Sequence, residues 1–260
     1  MRRKNRYYFL VFVLLISVKS QATGDASSLN NSRMQAIISD VSKIYLSSVS
    51  YIFKHQYLIN QIGGSKEALF GQQFINNIKG EFQAKYSQDF PIIDHVSKKM
   101  LIQSMVEVME DNRELINDND IDFKGIIPAI FAFQLSAKLA TKGVGVKIKF
   151  TRTKDNIRNT LNTPDAWESS VMELVKKSPR IYYDKQGTLN GKAAYRQFTP
   201  LPMQPYCLHC HGTMADNPLN SGKPVSQWSD IDVTGFKMEG WTLSDFGGGV
   251  SISIDKSNLQ

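Results

Sequence analysis

The fold is decided at Val144-Gly-Val-Lys-Ile-Lys-Phe-Thr151, where the patterning of the chain changes. Apolar and polar side chains alternate there with a period of two, which is typical of a β-strand with one buried face. Upstream, apolar residues recur at helical spacing instead, and downstream two more segments of strand character follow. The sequence therefore predicts an α+β fold, with long helices first and an antiparallel sheet after them.

The pattern upstream of residue 144 predicts a series of amphipathic helices. Glycine, proline and acidic turn residues separate them, notably Gly63-Gly64 and Pro91. The predicted helices cover residues 33–62, 66–88, 92–117 and 128–143.

Downstream of residue 151 the signals are those of a mixed domain. Thr163 is predicted as the N-cap of a helix, because Pro164 and two acidic residues follow it in the first turn. Residues 180–183 and 193–198 flank a glycine-containing turn and predict a β-hairpin. A last alternating segment, residues 250–254, predicts the final strand.

The charge of the chain is concentrated at its beginning. Of 31 basic residues, five lie within the first 22 positions, where no acidic residue occurs, and an uncharged run at residues 7–18 separates four of them from Lys19. This arrangement, with Ser20 and Ala22 as small residues, is typical of a secretory signal peptide. We predict a signal peptide over residues 1–22 and a periplasmic location. An uncleaved membrane anchor is the alternative, although the run is shorter than the roughly 20 residues of a membrane span.

Removal of those five cations lowers the formal charge from +7 to +2. We therefore expect no nucleic-acid partner, because binding to the phosphate backbone needs a strongly basic surface. The 260 residues are 42% hydrophobic, which is enough for a packed core and excludes a disordered chain.

The two cysteines of the chain form the motif Cys207-Leu208-His209-Cys210-His211. The spacing C-x-x-C-H is the attachment signature of c-type haem. Thiols one helical turn apart can reach both vinyl groups of one porphyrin edge, and the histidine that follows can ligate the iron. Cys207 and Cys210 are thus the predicted thioether positions, and His211 is the predicted proximal ligand.

Three other interpretations of this motif are possible. A disulfide would close a very short loop and would restrict the unfolded chain little. A zinc site would require four ligands within five residues, with no second C-x-x-C pair to complete it. A thioredoxin-like redox pair would follow a βαβ pattern, and none precedes these cysteines.

Several further motifs, in order, resemble the PAS-like c-type haem sensor domains that occur alone or at the head of bacterial chemoreceptors and histidine kinases. The resemblance runs from about Gly125 to Asp255, half of the chain. Its motifs lie at residues 128–131, 158–159 with Asn162, 164–168, 191–196, 207–212, 232–236 and 245–252.

The resemblance implies a PAS-like antiparallel sheet domain at residues 119–256, preceded by a helical region at 23–118. It implies one haem c, bound covalently through Cys207 and Cys210, with His211 as the proximal ligand. It also implies that the N-terminal helices can pair two protomers in a homodimer.

The distal ligand of the haem iron is left open. Some members of the family supply a distal cysteine from the helix that starts near Pro128, but this chain has Phe133 at the matching position. Water, a small gas or an open site is compatible with the sequence. The candidate side chains are Met105, Met109, His55 and His95, each of which has an ordinary core or surface role as its alternative.

Other side chains could complete a haem pocket. Haem propionates need cationic or amide partners, for which Arg152, Arg158 and Arg196 are candidates, although each could equally form a structural ion pair. Trp167 and Trp241 could wall the pocket or belong to the core.

These residues predict an exported monohaem protein that senses redox state or a small ligand and signals to an unidentified partner. A periplasmic electron-transfer cytochrome is the alternative, since a carrier needs two strong axial ligands whereas a sensor needs an accessible sixth site. We expect no enzymatic activity, because no distal His–Arg pair is recognisable.

Overall fold

A computed structural model describes the backbone of residues 17–259 and the side chains of residues 29–257. Most of the predicted signal peptide lies outside these residues, so the signal peptide remains a prediction. The helices are α1 (Ser17–Lys54), α2 (Gln56–Asn60), α3 (Gly71–Tyr86), α4 (Val96–Asp111), α5 (Arg113–Asn117), α6 (Pro128–Thr141), α7 (Ala166–Lys177) and α8 (Leu208–His211). The strands are β1 (Val146–Thr151), β2 (Tyr182–Leu189), β3 (Lys192–Pro202) and β4 (Phe246–Asp255).

Two of the predicted helices are each divided near their C-terminal ends. Predicted helix 33–62 breaks at His55, and predicted helix 92–117 breaks at Asn112. At both breaks, the backbone N–H and the side chain of one residue share a single carbonyl. His55 shares the carbonyl of Tyr51, and Asn112 shares that of Val108. This competition weakens the helical ladder and explains both interruptions.

Helix α7 begins two residues later than expected. Its N-cap is Asp165, whose Oδ1 accepts from the backbone N–H of Glu168 at 2.9 Å, while Glu168 Oε2 accepts from the N–H of Asp165 at 2.9 Å. Thr163, the predicted N-cap, instead donates its hydroxyl to the carbonyl of Thr160 at 2.6 Å. The reciprocal capping box satisfies two backbone donors where Thr163 could satisfy one.

The strands form one antiparallel sheet in the order β1-β4-β3-β2. Register aligns Ile148 with Ile252, and Ile252 with Gln197, so these side chains share one face of the sheet. This face packs against α1 and α6. Phe198 and its neighbours on the opposite face pack against α7. The α+β class and the helix-then-sheet order are confirmed.

The predicted hairpin is present, with a tighter turn than the glycine positions indicate. Asn190 and Gly191 both have positive φ, 52° and 78°, and join β2 directly to β3. A two-residue turn of this kind matches the right-handed twist of the paired strands. It leaves Gly187 inside β2, beside an irregularity in the register.

One continuous hydrophobic core joins the helices to the sheet. It extends from Met34 in α1 through Phe74 and Leu101 to Ile252 and Ile254 in β4, and thus includes residues on both sides of the predicted domain boundary at 118/119. Within residues 17–259, no helix combines the length and apolar composition that crossing a membrane requires.

Candidate functional site

A cavity of about 1310 Å³ opens between α1 and the end of the sheet at which β3 leads into the cysteine motif. Its volume exceeds the range of about 300–1,000 Å³ that is common for small-molecule sites, so it can accept a ligand of unusual size. Apolar side chains dominate its walls. They include Val49 and Phe53 from α1, Pro128 at the start of α6, and Phe150 and Leu201 from the sheet.

The three residues predicted from the motif all line this cavity: Cys207, Cys210 and His211. A short 3-10 turn, Pro205–Cys207, leads directly into α8, and this helical geometry brings positions 207 and 210 to one side of the chain. Both cysteines are free thiols. Burial raises the pKa of the Cys210 thiol to about 11, and the nearby Asp232 carboxylate acts in the same direction.

The His211 ring is held on two sides. Its Nδ1 lies 2.9 Å from Glu239 Oε2, and its ring stacks on the Trp241 indole with centroids 4.7 Å apart and planes 11° apart. Backbone hydrogen bonds, from Trp241 N–H to the His211 carbonyl and from Gly240 N–H to the Gly212 carbonyl, join the two segments. The contact with Glu239 occupies Nδ1 and leaves Nε2 as the nitrogen that a metal ion can use.

Gly212 follows the motif because no side chain fits there. A Cβ at this position would lie 2.7 Å from the carbonyl oxygen of Leu208 and 2.6 Å from Oδ2 of Asp216. Asp216 cannot easily move, since its Oδ2 accepts from both the backbone and the hydroxyl of Thr213. Helix α8 ends immediately after His211, with Gly212 as its C-cap.

Arg158 connects the motif to the segment that holds His211. Its guanidinium donates to both carboxylate oxygens of Glu239 at 2.8 Å, to Asp232 Oδ2 at 2.6 Å and to the Cys210 carbonyl at 2.9 Å. Burial alone would raise the pKa of Glu239, but hydrogen bonds from His211 and Arg158 outweigh it and lower the pKa. Arg158 therefore serves as a structural link, and its donors are already engaged.

The motif at residues 232–236 is a turn built on Asp232. Its Oδ1 accepts from the Thr234 backbone N–H and hydroxyl and from the Phe236 N–H. With Oδ2 bound to Arg158, this fully buried carboxylate is satisfied on both oxygens. The turn fixes the chain between α8 and Glu239.

The other two candidate arginines lie in different places. Arg196 lies on the far face of the sheet, where it pairs with Asp165 and Glu168 and stacks over Trp167. Neither Arg196 nor Trp167 lines the cavity, so both belong to the packing beneath α7. Arg152 and Trp241 do line the cavity.

The two methionines named as candidate distal ligands lie away from the cavity. Met105 and Met109 are fully buried in α4 as part of the main core, and neither lines the cavity. Met203, which follows β3, does line it. Met203 carries no signal in the sequence, because no helical or strand period places it at a site.

The two candidate histidines are also engaged elsewhere. The His55 ring contacts the Tyr51 ring with centroids 4.0 Å apart and bonds to the Tyr51 carbonyl, while His95 caps α4 by accepting from the Ser97 N–H. Neither lines the cavity. Phe133, the position matched to a distal cysteine, is 41% exposed and also lies outside the lining, which α6 reaches through its first turn at Pro128.

Two polar residues at the site have no recognisable signal in the sequence: Glu239, which contacts His211, and Gln197, which lines the cavity. Glu239, between the motif at 232–236 and Trp241, carries no local signal beyond being an acid near a predicted ligand segment. Gln197, which is 2% exposed, donates Nε2 to Thr199 Oγ1 at 2.9 Å, and its Oε1 has no partner among the described residues. The register of β3 alone brings Gln197 to the cavity face.

Within the described part of the chain, no group of three or more His, Cys, Asp or Glu side chains has the geometry of a metal site. The histidines and cysteines of the motif therefore do not converge on a common point, as a zinc site would require.

A family model for Tll0287-like proteins matches residues 92–255, which is more than half of the chain. The chain belongs to the Tll0287-like family. The matched region contains the whole stretch whose motifs indicated a resemblance to a haem sensor family, and it extends upstream to include α4.

Among solved structures, the chain is similar to one described as the crystal structure of the cyanobacterial haem-protein Tll0287. The alignment has 17% identity, covers 50% of this chain and 71% of the other, and has a TM-score of 0.33. No curated protein sequence matches the chain.

Proposed function

We propose that this chain is an exported haem-binding protein in which Cys207 and Cys210 attach one c-type haem and His211 ligates its iron through Nε2. The observation that carries the proposal is that all three side chains line one large cavity, with Nδ1 of His211 held by Glu239. Membership of the Tll0287-like family and the name of the related cyanobacterial haem-protein support it.

The residues present fit such a group. Two free thiols lie one turn apart at the wall of the cavity, and a carboxylate-bound histidine follows them. The apolar walls would exclude water, and Arg152 Nη1 is a buried donor without a partner among the described residues. A bound haem supplies an iron that changes oxidation state and can take a small ligand at its sixth position.

We infer a sensing role from the distal side. None of the four candidate distal side chains lines the cavity, which favours a site open to water or a small gas. The polar series Gln197, Thr199 and Ser42 could hydrogen-bond such a ligand, since Oε1 of Gln197 is unused and Thr199 Oγ1 lies 3.3 Å from Ser42 Oγ. The role is one of binding and signalling, and we propose no catalytic step.

Three further parts of the proposal concern architecture and location. The antiparallel order β1-β4-β3-β2 and the preceding helices support a PAS-like description of the sheet domain. The long part of α1 that follows the proposed signal peptide, residues 23–54, and the 68% exposed Leu29 within it support pairing of two protomers through the N-terminal helices. The basic and apolar pattern of residues 1–22 supports export to the periplasm.

The attachment is tested by the pyridine haemochrome spectrum of the denatured, mature protein. We expect colour to remain with the protein in acidic organic solvent. The variant with both Cys207→Ala and Cys210→Ala should release its haem, and each single variant should retain it through one thioether with a shifted α-band. Extraction of haem from the wild-type protein would overturn the proposal of covalent attachment.

An electron-transfer role is the second candidate, and one observation favours it. Met203 lines the cavity, and a thioether as sixth ligand would give the closed, high-potential site of a carrier. Carbon monoxide distinguishes the two roles. Rapid binding to the ferrous protein supports sensing, whereas a low-spin spectrum that carbon monoxide does not change supports electron transfer.

A further inference from the structure

Only one of the three candidate arginines has an unused donor at the cavity. The donors of Arg158 reach Glu239, Asp232 and the Cys210 carbonyl, and Arg196 lies on the opposite face of the sheet. Arg152 lines the cavity, and its Nη1 is buried with no hydrogen-bond partner among the described residues.

The placement of Arg152 is unusual for a cation. Its guanidinium lies over the Trp241 indole, with Cζ 3.1 Å from the ring centroid, and burial lowers its pKa to about 10. Glu239 and Asp245 favour its charge from a distance, yet neither forms an ion pair with it. A buried charged group normally has a partner, because an unpaired donor in a low-dielectric site is strongly destabilising.

We propose that Arg152 binds a carboxylate of the molecule that occupies the cavity. If the proposed function is correct, on which this inference rests, that carboxylate is a propionate of the haem. A guanidinium presents parallel N–H donors that match the two oxygens of a carboxylate, and stacking on Trp241 orients those donors in advance.

The same indole contacts both Arg152 and His211. The cation that holds the carboxylate and the histidine proposed as iron ligand therefore share one rigid support. Binding of the carboxylate at Arg152 fixes Trp241 and, through it, restricts the rotation of the His211 ring. Arg152 is in this sense both a binding residue and a positioning residue.

The test uses the haem-loaded full chain and the variants Arg152→Gln, Arg152→Lys and Arg180→Gln. Arg180 is a matched control, since it is exposed, stacks on Tyr182 outside the cavity and removes the same charge when replaced. Two properties are measured: the reduction potential, and the carboxylate bands in the reduced-minus-oxidised infrared difference spectrum.

Loss of the cation at Arg152→Gln should favour ferric over ferrous iron. We expect the ferrous-to-ferric ratio at a fixed ambient potential to fall about three- to tenfold, with a shift of the propionate carboxylate bands. Arg152→Lys should restore most of the ratio, and Arg180→Gln should change neither property. If Arg152→Gln attaches haem poorly, recovery of attachment in Arg152→Lys supports the proposal, and equal failure of both variants overturns it.

Wild-type potential and unshifted bands in Arg152→Gln, with haem still attached, would overturn the assignment of Arg152 alone. Absence of haem from the wild-type protein would instead overturn the proposed function. The two failures are therefore distinguishable.

Discussion

Oε2 of Glu239 lies 2.9 Å from Nδ1 of His211, across 28 residues of sequence. A carboxylate in this position makes an imidazole a stronger ligand and fixes which nitrogen faces the metal. The same carboxylate is bound by Arg158, so its position is determined by two contacts.

Replacement Glu239→Gln should raise the reduction potential of the haem-loaded protein. A neutral amide oxygen accepts the Nδ1–H hydrogen bond more weakly than a carboxylate does. His211 therefore donates less electron density to the iron, and ferric iron loses stabilisation. We expect roughly a tenfold rise in the ferrous-to-ferric ratio at fixed ambient potential, about 59 mV for one electron. The exposed Glu173→Gln variant serves as the control. An unchanged or lowered potential would contradict this role of Glu239.

Gly212→Ala should destabilise the protein and reduce haem attachment. The new Cβ would meet the Leu208 carbonyl oxygen at 2.7 Å, and relief requires movement of the backbone that ends α8. We expect a loss of about 1–3 kcal/mol in the free energy of unfolding, measured by denaturant titration.

Gly80→Ala is the matched control for this substitution. Gly80 lies inside α3 with no atom within 4 Å of an added Cβ. Alanine should stabilise this helix by about 0.5–1 kcal/mol. Equal effects of the two substitutions would show that the close approach at Gly212 does not limit stability.

Asp165→Asn should lower stability at neutral pH and less so in acid. Burial alone would raise the pKa of Asp165, but the backbone N–H of Glu168 and the guanidinium of Arg196 outweigh it and lower the pKa. The stabilisation by this carboxylate is therefore complete above its ordinary pKa of about 3.9 and disappears as the pH falls through its lower folded value. Asparagine can retain the cap, so the loss comes from the missing charge toward Arg196 and the helix N-terminus, and it should amount to about 0.5–2 kcal/mol at pH 7.

Unfolding midpoints of wild type and Asp165→Asn, measured from pH 7 down to pH 2, check the prediction. The curves should converge at low pH. Glu173→Gln, in the same helix but exposed, should parallel the wild type throughout. If the difference in unfolding midpoint between wild type and Asp165→Asn stayed constant with pH, the effect would be due to packing and not to charge.

Met105→Leu and Met109→Leu should leave the haem absorption spectrum unchanged. Both side chains are buried in the core around α4 and neither lines the cavity, so each substitution should lower stability by less than about 1.5 kcal/mol. Met203→Leu is the informative comparison, because this thioether lies at the cavity wall. Loss of a far-red ferric band in Met105→Leu or Met109→Leu would contradict the position of α4.

Much of the fold was predictable from local patterns. Alternation over residues 144–151 and 250–254 predicted two strands that the structure pairs, Val146 with Ile254 and Ile148 with Ile252. Boundaries were less accurate where side chains act on the backbone. Asp165 replaced Thr163 as the N-cap of α7, and the long predicted helices divide at His55 and Asn112.

The site was predictable only where its residues are close in sequence. Cys207, Cys210 and His211 form a motif whose chemistry depends on spacing within one turn, and they do meet at one cavity. None of the four candidate distal side chains lines the cavity, because helical periodicity identifies a buried face but not what that face is buried against.

By itself, the sequence determined the α+β order of elements, the hairpin and the compact cysteine motif, all of which depend on contacts between near neighbours in the chain. Only the tertiary structure decided that Glu239 binds His211, that Trp241 supports both His211 and Arg152, and that Arg152 retains an unused donor. These contacts join residues far apart in sequence. They depend on strand register and loop course, which short-range periodicity does not encode.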